Sequence, residues 1–160
     1  MLNILRKFVN RKRVRVRYLY QMAIFLEEDG KNFYDKLAEK AKDVNLRNLC
    51  NRLAQAEADH KKLFQEMLSR WIPLPIDAKS LDYLEGESKK RGIFSDPPSP
   101  DASEEEMIKY AIEQEKRCVD FYLSFKKYFA DEWQKNQIHK IMMEEKDHAS
   151  RLTTAYPHIQ

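Results

Sequence analysis

The sequence predicts an all-α protein, a four-helix bundle made of two helical hairpins that are joined by a long crossover. Three observations lead to this prediction. Only 3 glycines and 6 prolines occur among the 160 residues, and 42% of the residues are hydrophobic. Apolar residues recur at three- and four-residue steps over four long segments. A pattern of the first half also returns in the second half at a fixed offset.

The first two helices are expected to form a hairpin. Helical periodicity over about residues 13–42 predicts the first helix, and it resumes over about 46–71 for the second. Because the break between them is short, the two helices should pack antiparallel. Gly30 lies inside the first helix, where a glycine costs about 1 kcal/mol relative to alanine. We therefore expect a packing reason for it, such as the close approach of a neighbouring helix.

A crossover linker of about residues 72–102 separates the hairpins. Pro73 and Pro75 are expected to end the second helix. Residues 81–90 can form a short helix, whereas the proline-rich stretch 96–100 cannot lie inside one.

The last two helices form the second hairpin. Ser103 is the expected N-cap of the third helix, with Glu106 at the capping-box position, and this helix should end near residue 130. Asp131 can cap the fourth helix, which should end before Pro157. This connectivity, two hairpins and one long crossover, is that of ferritin-like bundles.

Charge divides the chain into a basic arm, residues 1–17, and a body, residues 18–157. The whole chain has a net charge of +3, but the arm carries seven Arg or Lys residues and no acid, which leaves 22 basic against 26 acidic residues elsewhere. Two interpretations of the arm are open. It can contact an anionic membrane surface, an acidic partner or nucleic acid, or it can be a solvated extension of the first helix. We favour the extension and expect no specific nucleic-acid binding.

Hydropathy and cysteine usage indicate a cytoplasmic protein. The mean hydropathy is −0.75, no apolar run is long enough to span a membrane, and the N-terminus does not resemble a secretory signal. Cys50 and Cys118 lie far apart and form no C-x-x-C pair, which argues against a disulfide scaffold or a tetrathiolate metal site. We expect reduced thiols.

Two copies of a Glu-x-x-His motif mark the candidate site. Residues three apart share one helix face, so the carboxylate and the imidazole of each copy can bind one metal ion. The copies are 88 residues apart (145 − 57 = 148 − 60 = 88), and a lone glutamate precedes each by 30 (57 − 27 = 145 − 115 = 30). Each half therefore supplies the same three side chains: Glu27, Glu57 and His60 in the first, and Glu115, Glu145 and His148 in the second.

If the hairpins pack about a pseudo-twofold axis, four carboxylates and two imidazoles converge in the core. Unpaired, this much buried negative charge is very unfavourable, whereas two divalent cations would neutralise it. The same ligand set is characteristic of di-iron and di-manganese bundles. A single Glu-x-x-His is a weak indicator, but two copies in register favour a two-metal site over a bundle that has lost its metal.

The surroundings of the lone glutamates are similar in the two halves and resemble a known family. Residues 23–34 and 111–122 both begin with Ala-Ile, carry a glutamate at the fifth position and end with Phe-Tyr. With the Glu-x-x-His motifs, they resemble the rubrerythrin family of the ferritin-like superfamily over about residues 18–155. The resemblance implies a non-haem di-iron centre with the following ligands: Glu57 and Glu145 as bridges, Glu27 and Glu115 as terminal ligands, and His60 and His148 as one imidazole per iron.

Further features follow from the resemblance. Tyr34 and Tyr122 match family tyrosines that hydrogen-bond ligand carboxylates, although the sequence alone fits core aromatics equally well. Iron is the metal that the resemblance implies, while Fe–Mn or di-Mn occupancy suits the same ligand types. The family also implies a homodimer.

Two departures from the family bear on activity. The sequence has no C-x-x-C rubredoxin module, so we expect an external electron donor such as a rubredoxin-like protein. Cys118 stands where peroxidase members of the family carry an additional glutamate, which puts their redox-linked ligand exchange in doubt. Cys118 is either a redox-active thiol or a small packing residue, and the equivalent Gly30 favours packing.

The resemblance implies a peroxidase or oxidase that reduces hydrogen peroxide or O2. Two alternatives use the same site. One is a ferroxidase or iron-handling protein, and the other is a sensing or adaptor bundle that the metal only staples together.

Overall fold

The computed structural model describes the backbone of residues 2–71 and 76–159 and the side chains of residues 16–70 and 76–159. These residues form five helices and no strand, so the all-α prediction is confirmed. The helices are α1 (Leu2–Lys40), α2 (Val44–Trp71), α3 (Ala78–Lys90), α4 (Glu104–Lys126) and α5 (Glu132–Ala155). Over the same residues, no helix combines the length and the apolar character needed to cross a lipid bilayer.

The four long helices form a ferritin-like bundle from two hairpins. α1 packs along α2, and α4 packs along α5, while the short α3 lies against α1 within the crossover. Their buried faces carry the apolar residues that follow helical spacing, and aromatic rings fill one end of the core, where Tyr20 contacts Phe64, Phe125 and Phe129. The site residues lie along the inner faces of the same helices.

Helix boundaries differ from the predicted ones mainly at α1. This helix begins at Leu2, well before the predicted start near residue 13, because the interleaved basic and apolar residues of the arm contain no helix breaker. The side chains of residues 1–15 lie outside the described residues, so the role of the basic arm remains a prediction. Pro73 and Pro75 lie outside the described residues as well.

The second hairpin begins with the two predicted caps. Ser103 and Glu106 form a reciprocal capping box at the start of α4. The Asp131 side chain accepts a hydrogen bond from the backbone N–H of Gln134 at the start of α5. α4 ends at Lys126, four residues before the predicted end, and a turn leads from it to α5.

The last part of the crossover enters the bundle. Ile93 and Phe94 are buried, and Phe94 adopts a left-handed backbone conformation with φ of 53°. Its backbone N–H donates a hydrogen bond to Oε1 of buried Gln114 at 3.0 Å. The Phe94 ring packs against Phe33 and Tyr34, with centroids 5.4 and 5.7 Å apart. The crossover therefore forms part of the core next to the α1 face that carries the site.

Candidate metal centre

The bundle brings together all six residues of the predicted ligand set. Each of the four long helices contributes to the cluster: Glu27 from α1, Glu57 and His60 from α2, Glu115 from α4, and Glu145 and His148 from α5. All six residues are at most 5% exposed. The three-residue spacing places both members of each Glu-x-x-His pair on the inner face of a helix. The other two histidines, His139 and His158, are exposed.

The ligand-type atoms form two overlapping groups. One contains Glu27, Glu57, His60 and Glu145, and the other contains Glu57, Glu115, Glu145 and His148. Within each group, one oxygen or nitrogen atom per residue lies within 4.8 Å of all the others. Glu57 and Glu145 belong to both groups. Their two carboxylates therefore have the placement that bridging ligands of a two-metal site need.

Both imidazoles face the carboxylates through Nδ1. Nδ1 of His60 lies 2.9 Å from Oε1 of Glu145 and 3.4 Å from Oε2 of Glu27. Nδ1 of His148 lies 3.3 Å from Oε1 of Glu57 and 3.3 Å from Oε2 of Glu145. The two rings are nearly parallel, with centroids 5.8 Å apart. Each half thus offers one imidazole nitrogen to its own group of carboxylates.

Two tyrosines connect the halves reciprocally. The Tyr34 hydroxyl of α1 donates a hydrogen bond to Oε1 of Glu115 in α4, and the Tyr122 hydroxyl of α4 donates one to Oε1 of Glu27 in α1. Both tyrosines are fully buried. Because each pair is related to the other by the repeat offset, the hydrogen bonds follow the pseudo-twofold axis. They hold one oxygen of each lone glutamate and leave the other oxygen directed into the site.

The unpaired atoms of the cluster fit a pair of cations. Buried polar groups in proteins almost always have hydrogen-bond partners. Among the described residues, twelve buried side-chain atoms make no well-aligned hydrogen bond, and seven of them belong to the cluster: Oε2 of Glu27, Oε1 of Glu57, Nδ1 of His60, Oε2 of Glu115, both carboxylate oxygens of Glu145, and Nδ1 of His148. These atoms are the ones that the two groups direct inward. Carboxylate oxygens and imidazole nitrogens are suitable ligands for iron and manganese.

Comparisons with known proteins agree with this arrangement. A sequence model of the rubrerythrin family matches residues 19–156, which is most of the chain. The chain belongs to the rubrerythrin family. The family, together with the buried cluster of carboxylates and imidazoles, indicates a metal site of the di-iron type.

The fold of this rubrerythrin-family protein also occurs among solved structures. A hypothetical protein from Pyrococcus furiosus is similar to it with a TM-score of 0.68 and 24% sequence identity. The similarity covers 89% of this chain and 88% of that one, and it supports the fold alone. A comparison with curated proteins found no match.

Burial and mutual repulsion disturb the carboxyl groups of the rubrerythrin site. Burial raises the pKa of Glu57 well above its usual value, and the nearby Glu145 and Glu27 raise it further. Burial also raises the pKa of Glu115, to about 8. For Glu145, burial acts in the same direction, but the neighbouring imidazoles outweigh it and lower the pKa. The carboxyl groups of one cluster thus prefer different protonation states.

The imidazoles show the complementary effect. Burial alone would lower the pKa of His60, but the carboxylates of Glu145 and Glu27 outweigh it and raise the pKa. The pKa of His148 is raised for the same reason, mainly by Glu115. Protons and metal cations therefore compete for the same atoms, and metal binding to this rubrerythrin site has to release protons.

Gly30 and Cys118, which are equivalent in the repeat, have different surroundings. A Cβ atom at Gly30 would lie 3.4 Å from the Phe94 ring and 3.5 Å from the carboxyl carbon of Glu57. The close approach expected at Gly30 therefore comes from two groups, the Phe94 ring of the crossover and the Glu57 side chain of α2. Cys118 is fully buried, and burial, with the four site glutamates, raises the pKa of its thiol well above the usual value. This environment suits a packing residue better than a reactive thiolate.

Sequence reasoning missed two residues near the site, of which one contacts a ligand residue. Phe94 lies in an irregular segment, where periodicity gives no signal, and the unexplained Gly30 was the only hint of a close neighbour. Glu144 accepts a hydrogen bond from Nε2 of His60 at 2.7 Å. The sequence signal for Glu144 was a departure from the repeat, since the equivalent position, 144 − 88, holds Ala56.

Proposed function

We propose that this protein is a non-haem di-iron protein that reduces hydrogen peroxide or O2. The observation that carries the proposal is the set of seven inward-facing, buried ligand atoms that make no well-aligned hydrogen bond and are shared between two groups. A solvated acidic cluster would expose such atoms to water, and a purely structural polar core would pair them with donors. Two iron ions would satisfy both the charge and the ligand preference of the six residues.

The chemistry divides between the metal and the protein. Bound ferrous iron would supply two electrons, which with two protons reduce one hydrogen peroxide to two water molecules. Glu57 and Glu145 would contact both metal positions and hold them next to each other. Burial of the site keeps bulk water away from the carboxylates and so strengthens their electrostatic interactions.

The tyrosines would fix the terminal carboxylates. Burial raises the pKa of both Tyr34 and Tyr122 well above the usual value, so each phenol keeps its proton and remains a hydrogen-bond donor. Each lone glutamate therefore presents its second oxygen in a fixed direction. No separate general base or nucleophile is part of this proposal.

We further propose that electrons come from an external donor such as a rubredoxin-like protein. The two cysteines of the chain, Cys50 and Cys118, are buried and unpaired. Burial raises the pKa of the Cys50 thiol to about 12. Neither thiol is therefore suited to rapid thiol–disulfide exchange with a partner.

Metal analysis and peroxide kinetics test the function together. Protein grown with iron should contain about two irons per chain, and the double variant Glu57→Ala/Glu145→Ala should contain almost none. Glu66→Ala removes an exposed glutamate of α2 and is the matched control. The reduced wild type should then be oxidised by hydrogen peroxide faster than free Fe(II) is. An oxidation rate no higher than that of free Fe(II) would rule out the peroxidase proposal.

The fate of the iron separates the alternatives. A peroxidase or oxidase keeps its two irons over many turnovers, whereas a ferroxidase or iron-handling protein takes up many Fe(II) per chain and releases or passes on the product. A sensing or adaptor protein that the metal only staples would lose helical stability on chelation and show no redox turnover. Counting the protein-bound iron before and after repeated additions of peroxide and reductant distinguishes the three.

A further inference from the structure

We propose that Glu144 is a positioning residue that orients His60 and makes the two metal positions of the site unequal. The inference rests on the proposed function, because it concerns metal binding by the same cluster. The inference goes beyond the proposed function in two ways. It assigns a role to a residue that is not one of the six ligands, and it predicts that the two metal positions differ although their ligands are the same.

The contact between the two side chains fixes which imidazole nitrogen faces the metal position. Nε2 of His60 and Oε2 of Glu144 are 2.7 Å apart. A carboxylate can only accept hydrogen bonds, so Nε2 must carry the hydrogen and donate it. In the neutral ring, Nδ1 is then the nitrogen with the free lone pair, and it faces Glu145 at 2.9 Å. Glu144 therefore favours the tautomer and the ring orientation that metal binding through Nδ1 requires.

The second half of the repeat has no equivalent of this contact. His148 faces the site carboxylates through Nδ1, as His60 does. The residue equivalent to Glu144 is Ala56, since 144 − 88 = 56, and its methyl group cannot accept a hydrogen bond. The ligand residues are thus the same in both halves, whereas the hydrogen-bond acceptor next to His60 has no equivalent next to His148.

The position of Glu144 allows the contact to be removed without disturbing the core. Its side chain is 44% exposed, and apart from His60 it has only a distant ion pair among the described residues, with Nζ of Lys140 at 3.9 Å. His60 is by contrast almost fully buried. Truncation of Glu144 therefore creates no internal cavity and affects the site through His60.

Loss of a hydrogen-bonding partner behind a histidine ligand typically weakens metal binding 10- to 100-fold. We expect this loss at the position next to His60 only. The test is an anaerobic titration of the chelator-treated full chain with Co(II), whose visible absorption reports the ligand environment of each position. Glu144→Ala should weaken one of two binding steps by about 10- to 100-fold and leave the other unchanged.

Two further variants separate positioning from a general structural effect. Glu144→Gln keeps an oxygen that can accept the Nε2 hydrogen, so it should restore most of the affinity that Glu144→Ala loses. Ala56→Glu places a carboxylate at the equivalent position behind His148 and should strengthen the other binding step. Glu66→Ala, an exposed change on α2, should leave both steps as in the wild type.

The outcomes distinguish this inference from the proposed function. Two Co(II) steps that are the same in the wild type and in Glu144→Ala would overturn the positioning role and leave the metal site intact. An equal loss at both steps, together with a lower melting temperature of the metal-free protein, would show a general structural effect and overturn it as well. If the wild type bound no Co(II), the proposed function would fail, and this inference with it.

Discussion

Replacement of Glu115 by glutamine should change the stability of the metal-free protein and its metal affinity in opposite directions. Glu115 is fully buried, and burial raises its pKa from the usual 4.5 to about 8. In chelator-treated protein, the unfolded chain therefore releases this proton near pH 4.5, and the folded chain releases it near pH 8. Between these values the folded state binds more protons than the unfolded state, so the stability falls as the pH rises.

The size of the effect follows from the pKa difference. A pKa difference of one unit corresponds to 1.36 kcal/mol. At pH 7 the unfolded chain has lost the Glu115 proton and the folded chain still holds it, so the pH interval from 4.5 to 7 lowers the free energy of unfolding by about 3 kcal/mol. Glutamine is neutral in both states, and its Oε1 can still accept the hydrogen bond from Tyr34. Metal-free Glu115→Gln should therefore be more stable than metal-free wild type at pH 7, by at most about 3 kcal/mol, because the variant also loses the attraction between the Glu115 carboxylate and the His148 imidazole. The difference should disappear as the pH approaches 4.5.

Urea unfolding of chelator-treated protein, followed by circular dichroism at several pH values, measures this difference. Glu113→Gln is the matched control on the same helix, because its side chain is 58% exposed and the loss of its surface ion pair with Arg117 should change stability little. Metal titration of the same samples should show weaker binding by Glu115→Gln, since glutamine supplies no negative charge. If the metal-free variant gained no stability over wild type between pH 5 and pH 7, the burial penalty assigned to Glu115 would be wrong.

Three further predictions concern the surroundings of the ligands. Tyr34→Phe and Tyr122→Phe each leave one ligand oxygen without its donor, and each should lower the free energy of unfolding by about 1–3 kcal/mol in urea titrations. Because the two hydrogen bonds are related by the repeat, a loss at only one position would contradict the reciprocal geometry. Phe94→Ala should destabilise the protein by about 3–5 kcal/mol, with a smaller loss for Phe94→Leu; a neutral Phe94→Ala would mean that the crossover ring does not fill the core. Cys118→Ala should retain peroxide consumption, and a thiol reagent at pH 8 should label the folded wild type only slowly; loss of turnover in Cys118→Ala would instead indicate a redox-active thiol.

The ligand set could be recognised in the sequence because two independent periodicities agree. The helical period places Glu57 and His60 on one face, and the offset of 88 repeats this placement at Glu145 and His148. Burial of these residues follows from the apolar neighbours on the same faces. The reciprocal hydrogen bonds could be expected only from the family resemblance, because spacing alone does not show whether a buried tyrosine donates to a carboxylate.

The crossover could not be predicted to the same depth. Helices repeat their environment every few residues, whereas an irregular segment has no period from which the direction of a side chain can be read. Phe94 reaches the core through a left-handed backbone conformation, and its N–H donates a hydrogen bond to the side chain of Gln114 on α4. Gly30 marks the place on α1 that receives the ring. In the sequence, the only indication of this contact was a glycine inside a helix, where glycine is unfavourable unless a neighbouring group requires it.

The departures from the repeat give the two halves of the site different surroundings. The six ligand residues are the same in the two halves of the repeat. Two other equivalent pairs differ: Gly30 corresponds to Cys118, and Ala56 corresponds to Glu144. Gly30, Cys118 and Glu144 all lie close to ligand residues. Two metal positions with equal ligands but unequal surroundings should differ in affinity. If Glu144 strengthens the position at His60, a chelator should remove the metal next to His148 first, and Ala56→Glu should bring the two removal rates together. A stepwise loss that becomes a single step in that variant would trace the asymmetry to one hydrogen bond.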